Sequence, residues 1–425
     1  MRQEAKKCGT SQDLLRMNAN GWVTRAEERA RRRAGVEALA GNHSAPGKAA
    51  CLFLLNSLTT GGSEKKIVHL TNTLCEQGTV AHIAYINGPD SLRGLLDKDV
   101  PVIALRRRGK FSVSALVRLV RHVATHEIER IITVNLHPLV YAFLASRLLH
   151  PKREIIALVN TTVHGSRRNQ RFMHLYAPLL RRAERVVFGS QQQLQVWTRD
   201  YNLNPQRCVC IHNGVDTGYF VPPFHSSLRD AWRTRLGIHP RDVVVGTVGM
   251  MRPEKGHKDL LAAAGRLRRS GITLTVLLVG DGPCRAELER YAEQAGVSAA
   301  TIFYGRTDDV RPLLDVMDIF VISSLAVETF SNAALEAMAA GKAVVLSDLG
   351  GAREMITPGE SGMLYKPGDV EGLVHAVRTL CEHTELRECL GSNARTRAIE
   401  EFSVERMLDD YQRWVLGPGV RVATS

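Results

Sequence analysis

Residues 327–345 read VETFSNAALEAMAAGKAVV, and the rest of the chain is organised around them. The apolar run Ile319-Phe320-Val321-Ile322 precedes them and stops at Ser323-Ser324, as a buried strand does. A loop carrying Glu328 follows, then a helical pattern over 332–340 closed by Gly341, then a second strand over 343–346. Ser331 and Asn332 both suit the helix N-cap, which leaves the backbone N–H groups of residues 330–334 pointing off the sheet edge. A helix start of this kind attracts anions, phosphate above all. Glu328 and Glu336 bracket it. A carboxylate beside an anion site is repulsive unless it accepts hydrogen bonds from neutral hydroxyls, and the ribose and sugar of a nucleotide sugar offer those.

A chain of 425 residues is long enough for two domains of ordinary size. With 44% hydrophobic and 23% charged residues it has the composition of a soluble globular protein. Apolar stretches stay short of the ~18 residues that span a bilayer. The first residues hold Arg31-Arg32-Arg33 and no apolar signal-peptide core. The eight cysteines include no C-x-x-C pair, and Cys208 and Cys210 alternate with Val209 as buried free thiols on a strand would. A reducing, cytoplasmic compartment is the expectation.

The net charge of +13 is unevenly placed. Residues 1–213 hold 32 Lys+Arg against 15 Asp+Glu, and residues 214–425 hold 24 against 28. A basic half calls for an anionic partner, either nucleic acid or a membrane face with its lipid phosphates. Aromatic content of 6% and the lack of an aromatic-basic strand for stacking bases favour the membrane. Two basic stretches carry the excess: Arg106-Arg107-Arg108, Lys110, Arg118 and Arg121, then Arg167, Arg168, Arg171, Arg181, Arg182 and Arg185. Phe111, Val113, Leu116, Leu119 and Val120 interleave with the first, in the manner of an amphipathic surface helix.

Residues 1–47 are polar and basic and are expected to be a flexible extension. The folded chain begins with a buried strand over 51–55, the turn Gly61-Gly62-Ser63-Glu64 and a helix, the pattern by which a βα unit approaches phosphate. Strands are expected at 81–86, 102–105, 131–134 and 155–159, alternating with helices and so predicting a parallel sheet. Pro222-Pro223 opens an expected linker over 217–240. A second domain over 241–398 opens with a β-branched strand at 243–248, the turn Met250-Met251-Arg252-Pro253-Glu254-Lys255-Gly256-His257 and a helix. Cations at such a turn suit a diphosphate. The next strand, 274–279, ends in Gly280-Asp281-Gly282-Pro283, where Arg285 replaces the third glycine of a dinucleotide fingerprint and speaks against an oxidoreductase.

The full phrase from Glu328 to Val345, followed by Gly350-Gly351, resembles the E-x7-E segment of retaining glycosyltransferases of GT-B architecture, family 4 in particular. The resemblance extends over residues 49–416. It takes in Gly61-Gly62 with Glu64, Asn213-Gly214-Val215-Asp216 with Phe220, Lys255-Gly256, and Gly280-Asp281-Gly282-Pro283. It implies an α/β fold of two facing Rossmann-like domains, an acceptor-side one over 48–216 and a nucleotide-sugar-binding one over 241–398. A final helix within 399–416 crosses back to the first domain.

The resemblance implies that Glu328, His164 and Lys255 carry the catalysis. Gly61, Gly62, Arg252, Lys255, Gly280, Asp281, Gly282, Arg306, Glu328, Phe330, Ser331, Asn332 and Glu336 would line the donor site. Glu336 would hold the ribose, Glu328 the donor sugar, and Lys255, Arg252 and the N–H groups near Phe330 and Ser331 the diphosphate. His137 matches a second cleft position. Met250 departs from the family, which has arginine there, and Arg252 two residues on is the substitute. With lysine and helix dipole neutralising the leaving group, neither metal nor other cofactor is called for, and Asp97-Lys98-Asp99 reads as a polar turn. The partners implied are a nucleotide-diphosphate sugar and a lipid-linked saccharide acceptor at the cytoplasmic membrane face, with no nucleic acid. A nucleotide-sugar hydrolase or epimerase of the same fold, and a non-catalytic basic relative, stay open alternatives.

Overall fold

The computed structural model describes residues 50–59, 61–109, 111–160, 167–222 and 226–416; of 167–172, 174, 175, 226 and 416 it describes the backbone alone. The described residues form one compact unit. Two parallel sheets organise it. The first takes β1 (Cys51–Leu55), β2 (Ala81–Tyr85), β3 (Val102–Ala104), β4 (Arg130–Val134), β5 (Glu154–Val159), β6 (Arg185–Phe188) and β7 (Cys208–Cys210) in the order β3-β2-β1-β4-β5-β6-β7. The second takes β8 (Val243–Val248), β9 (Leu274–Val279), β10 (Thr301–Gly305), β11 (Ile319–Ile322), β12 (Ala343–Ser347) and β13 (Met363–Tyr365) in the order β10-β9-β8-β11-β12-β13. Both orders are those of doubly wound sheets, and the two Rossmann-like domains expected from the sequence are present.

Each sheet is buried on both faces, which is why its strands read as continuous apolar runs rather than alternating ones. On β1, Leu52 and Leu54 face a cluster with α2 (Val113–Thr125), α3 (Leu136–Leu148), α4 (Arg167–Arg182) and α5 (Gln191–Tyr201). Phe53 and Leu55 face the other side, with α1 (Gly62–Glu76). In the second sheet Leu277 and Val279 face one core while Val276 and Leu278 face α7 (His257–Arg269), α8 (Arg285–Gln294) and α12 (Val370–Glu382).

Residues 217–240 are more than a connector. They contain α6 (Ser226–Arg235), held to the second domain by Arg229, whose Nη2 lies 2.6 Å from Asp318 Oδ1, and by Arg233, whose Nη2 donates to Asp242 O at 2.6 Å. Prolines at the start of the segment concealed a helix, one of whose anchors, Asp318, lies 89 residues from Arg229. Past α9 (Arg311–Val316), α10 (Asn332–Ala339), α11 (Ala352–Met355) and α13 (Thr384–Glu401), the chain pairs Ser403 with Val215. Then α14 (Val404–Tyr411) buries Val404, Met407, Leu408 and Tyr411 in the first domain's core. Among the described residues no helix is long and apolar enough to cross a membrane.

Candidate active site

In a doubly wound sheet the crevice opens where the strand order reverses, beyond the carboxyl ends of the two central strands. In the second sheet those strands are β8 and β11. The loop after β8 carries Lys255 and the loop after β11 carries Glu328, so residues 73 apart in sequence are delivered to one place. The Lys255 ammonium lies 2.7 Å from Glu328 Oε2, and Ser324 Oγ donates to the same oxygen at 2.9 Å. The loops are also locked together through backbone. Leu325 N donates to Glu254 O at 2.8 Å and Ser323 Oγ to Lys255 O at 2.9 Å.

Glycines allow these approaches. Gly256 sits at φ 62°, and a Cβ there would lie 2.0 Å from Ser323 O. Gly350, at φ 59°, would place one 2.0 Å from Glu328 O, while Gly351 N donates to Thr329 O at 2.7 Å. The Gly350-Gly351 pair therefore sets the position of the Glu328 loop from behind.

Beyond Glu328 the chain turns into α10. Ser331 is its N-cap, with Oγ accepting from Ala334 N at 3.3 Å. Phe330 is not a free wall of the cleft. Its ring is buried, stacked on His212 at 4.6 Å between centroids, and its carbonyl accepts from Asn213 Nδ2 at 2.8 Å. Asn332 reaches across to the first domain, where its Nδ2 donates to Gly62 O at 3.3 Å. Gly61 and Gly62, at the start of α1, thus face the start of α10. Glu336 is half-buried in the second turn of α10.

The remaining expected donor residues are less closely gathered. Arg252 is half-exposed, its guanidinium 3.8 Å from Glu254. Met251, next to it, is buried and hydrogen-bonded through its backbone to Asp281 O and Cys284 N. Gly280 and Gly282 have a packing reason of their own: a Cβ would meet Gly249 O at 1.9 Å and Met251 O at 2.4 Å. Asp281 Oδ1 accepts from Gly282 N at 2.8 Å, and Arg306 is exposed one residue past β10. His164 lies outside the described residues. His137 hydrogen-bonds Arg107 at the carboxyl end of the first sheet, and burial followed by the Arg107 charge pushes its pKa down. Asp97 and Val100 close a turn before β3, away from these loops.

Several residues without an assigned role from sequence matter here. Lys66 on α1 donates to Asn160 Oδ1 at 3.2 Å and Asn213 Oδ1 at 3.0 Å, and burial pushes its pKa down to about 8. Asn213 therefore links Lys66 to the Phe330 carbonyl. Thr329 Oγ1 completes the join by donating to Asn160 O at 3.1 Å. Glu354, from α11, accepts from Gln191 N at 2.8 Å, Gln192 N at 2.9 Å and His212 at 2.8 Å, capping α5 from the opposite domain. Burial alone raises its pKa, but the His212 and backbone hydrogen bonds outweigh it and hold the carboxyl below its ordinary value. His257, beside Lys255, is buried and pushed down to about 4, chiefly by desolvation, so it adds no charge at neutral pH.

A cation, a carboxylate and a helix N-terminus at a switch point form an arrangement able to take a phosphate group and a polyol together. Comparison with known proteins identifies the family. The family model for glycosyl transferases group 1 matches residues 229–397, and that for glycosyltransferase family 4 matches residues 60–219. The chain is 29% identical over 361 residues to the lipopolysaccharide core biosynthesis glycosyltransferase LpsE of Rhizobium meliloti, covering 83% of this chain and 94% of that one. It is 31% identical over 209 residues to the putative glycosyltransferase EpsD of Bacillus subtilis, covering 48% of this chain and about half (54%) of that one. The fold superposes on Anabaena Alr3699/HepE in complex with UDP with a TM-score of 0.75 at 23% identity, over 85% of this chain and 98% of that one.

Proposed function

The chain belongs to the group 1, or family 4, glycosyltransferases of GT-B architecture, and on that premise we propose that it transfers a hexose from a nucleoside-diphosphate sugar, with retention at the anomeric carbon, to a hydroxyl of a lipid-linked saccharide. The observation that carries the proposal is the Lys255–Glu328 pair beside the start of α10. Without donor, ammonium and carboxylate neutralise one another. When donor enters, the diphosphate takes the ammonium and the sugar hydroxyls donate to Glu328. Glu336 holds the ribose. As the bond from the anomeric carbon to the diphosphate breaks, negative charge grows beside Lys255, Arg252 and the N–H groups near Ser331, which stabilise it. The acceptor hydroxyl attacks from the face the diphosphate leaves and gives up its proton to the departing phosphate oxygen. This chemistry calls for no metal.

The acceptor side rests on the first domain. Its α2 leaves Val113 and Val117 exposed, and Phe111 just before it is half-exposed, beside Arg106 and Arg108. An exposed apolar stretch with arginines close by in sequence suits the surface of an anionic bilayer at its cytoplasmic face. A lipopolysaccharide or related polysaccharide product fits the role of LpsE in lipopolysaccharide core biosynthesis. The test is incubation of UDP-, GDP- and ADP-sugars with a glycolipid extract, reading released nucleotide and, by NMR, the anomeric configuration of the product. Donor consumption with inversion, or with free sugar as sole product, would overturn the reading.

A further inference from the structure

Three imidazoles converge on the first domain at the sheet edge opposite the cleft. His82 is the second residue of β2 and only 3% exposed. His122 lies in the last turn of α2 and His126 is its C-cap, four residues on, so both project from one helical face. Loops reach the cleft from the carboxyl ends of the strands. The start of β2 and the end of α2 therefore lie at the far edge.

The geometry is that of a ligand set. His82 Nδ1 and His122 Nε2 are 3.1 Å apart. Two imidazole nitrogens on one tetrahedral ion at ~2.0–2.1 Å would be separated by ~3.3 Å. One nitrogen from each of the three rings lies within 4.8 Å of the others, and the rings are tilted by 51° to 70° rather than stacked. His126 is exposed, so its ring can turn the remaining distance inward without disturbing the core. An all-imidazole set favours a borderline transition ion over calcium or magnesium, which prefer oxygen.

We propose that His82, His122 and His126 bind one divalent transition-metal ion of the zinc class, with a fourth position open to solvent. The ion ties the start of β2 to the end of α2. It stands apart from the donor site and stabilises the first domain without entering the transfer reaction.

The test uses full-length protein without affinity-tag histidines, stripped by chelator and titrated with Zn²⁺ by calorimetry and with Co²⁺ by visible absorption. Wild type is expected to take up one equivalent, to show the visible band of four-coordinate Co²⁺, and to melt at higher temperature with Zn²⁺. His126→Ala, at an exposed position that leaves packing intact, is expected to weaken Zn²⁺ binding at least ~10-fold and to lose both the band and the thermal shift. His375→Ala, exposed on α12, should change none of these. Absence of stoichiometric Zn²⁺ or Co²⁺ uptake by wild type would overturn the proposal. So would His126→Ala binding as wild type does.

Discussion

The ammonium of Lys255 lies 2.7 Å from a carboxylate oxygen of Glu328, and the two residues arrive on neighbouring central strands of one parallel sheet. Each is the other's counter-charge in the structure, and under the proposed function a donor bearing both phosphate and hydroxyls would free both.

Lys255→Met and Glu328→Gln are each expected to lower kcat/KM for transfer by roughly 10²–10³-fold, the range seen when a transition-state charge loses its partner. The double variant should cost little more than the worse single one, because the two act as a unit. Steady-state kinetics on the three variants checks this, and strict additivity would separate the residues' roles.

Gly350→Ala forces a Cβ to within 2.0 Å of Glu328 O at a φ of 59°. A non-glycine residue there costs about 1–3 kcal/mol, and the Glu328 loop must move to relieve it. Nucleotide binding is expected to weaken along with stability. Denaturant unfolding and calorimetry on the same sample would show both, and unchanged affinity would mean that the loop position is immaterial to the donor.

The strands and the glycine turns of this molecule were legible because they are local. Apolar runs such as 274–279 mark strands buried on both faces, and Gly341 and Gly256 mark turns at positive φ. The long-range contacts within the first domain and between the domains were not legible. Lys66 meets Asn160 and Asn213 across 94 and 147 residues, and Glu354 meets His212 across 142. No periodicity encodes such a pairing; it follows only once both sheets are placed. The glycines of Gly280-Asp281-Gly282 were read as ligand-facing, yet the loops after β8 and β9 also need them in order to lie backbone against backbone. Helix α6 escaped notice because its start is proline-rich and its anchor, Asp318, belongs to a distant strand end.

Lys66 has a pKa pushed by burial from 10.5 down to about 8. Between those values the unfolded chain binds more protons than the folded one, so stability from this group rises with pH across that window; below about 8 the burial cost is fully present. Lys66→Met removes the titration. Its stability relative to wild type is expected to fall by roughly 1–3 kcal/mol between pH 7 and pH 10. Urea unfolding at the two pH values tests this, and a pH-independent difference would contradict it.

The Glu354 carboxylate has a depressed pKa, so its contribution is present above the ordinary value of 4.5 and is lost as pH falls through its lower folded value. Glu354→Ala leaves the first N–H groups of α5 and the His212 ring without this acceptor. It should cost about 1–2 kcal/mol at neutral pH. Thermal melts from pH 7 down to pH 3 should show the two proteins converging in acid. A constant gap would assign the loss to packing instead of charge.

Val117→Asp places a charge on the exposed apolar edge of α2. If that edge meets the bilayer, sedimentation with anionic vesicles at low salt falls by roughly fivefold or more, about 1 kcal/mol, while nucleotide affinity stays unchanged. Equal sedimentation of both proteins would move the membrane contact elsewhere.

The most direct measurement is calorimetric titration of the full chain with UDP, GDP and ADP in turn, for wild type, Lys255→Met and Glu336→Ala. The account predicts that one nucleotide binds wild type, that Lys255→Met weakens it through the diphosphate, and that Glu336→Ala weakens it through the ribose. Binding of none of the three by wild type, or equal binding by all three proteins, would contradict a donor site built on the loops after β8 and β11.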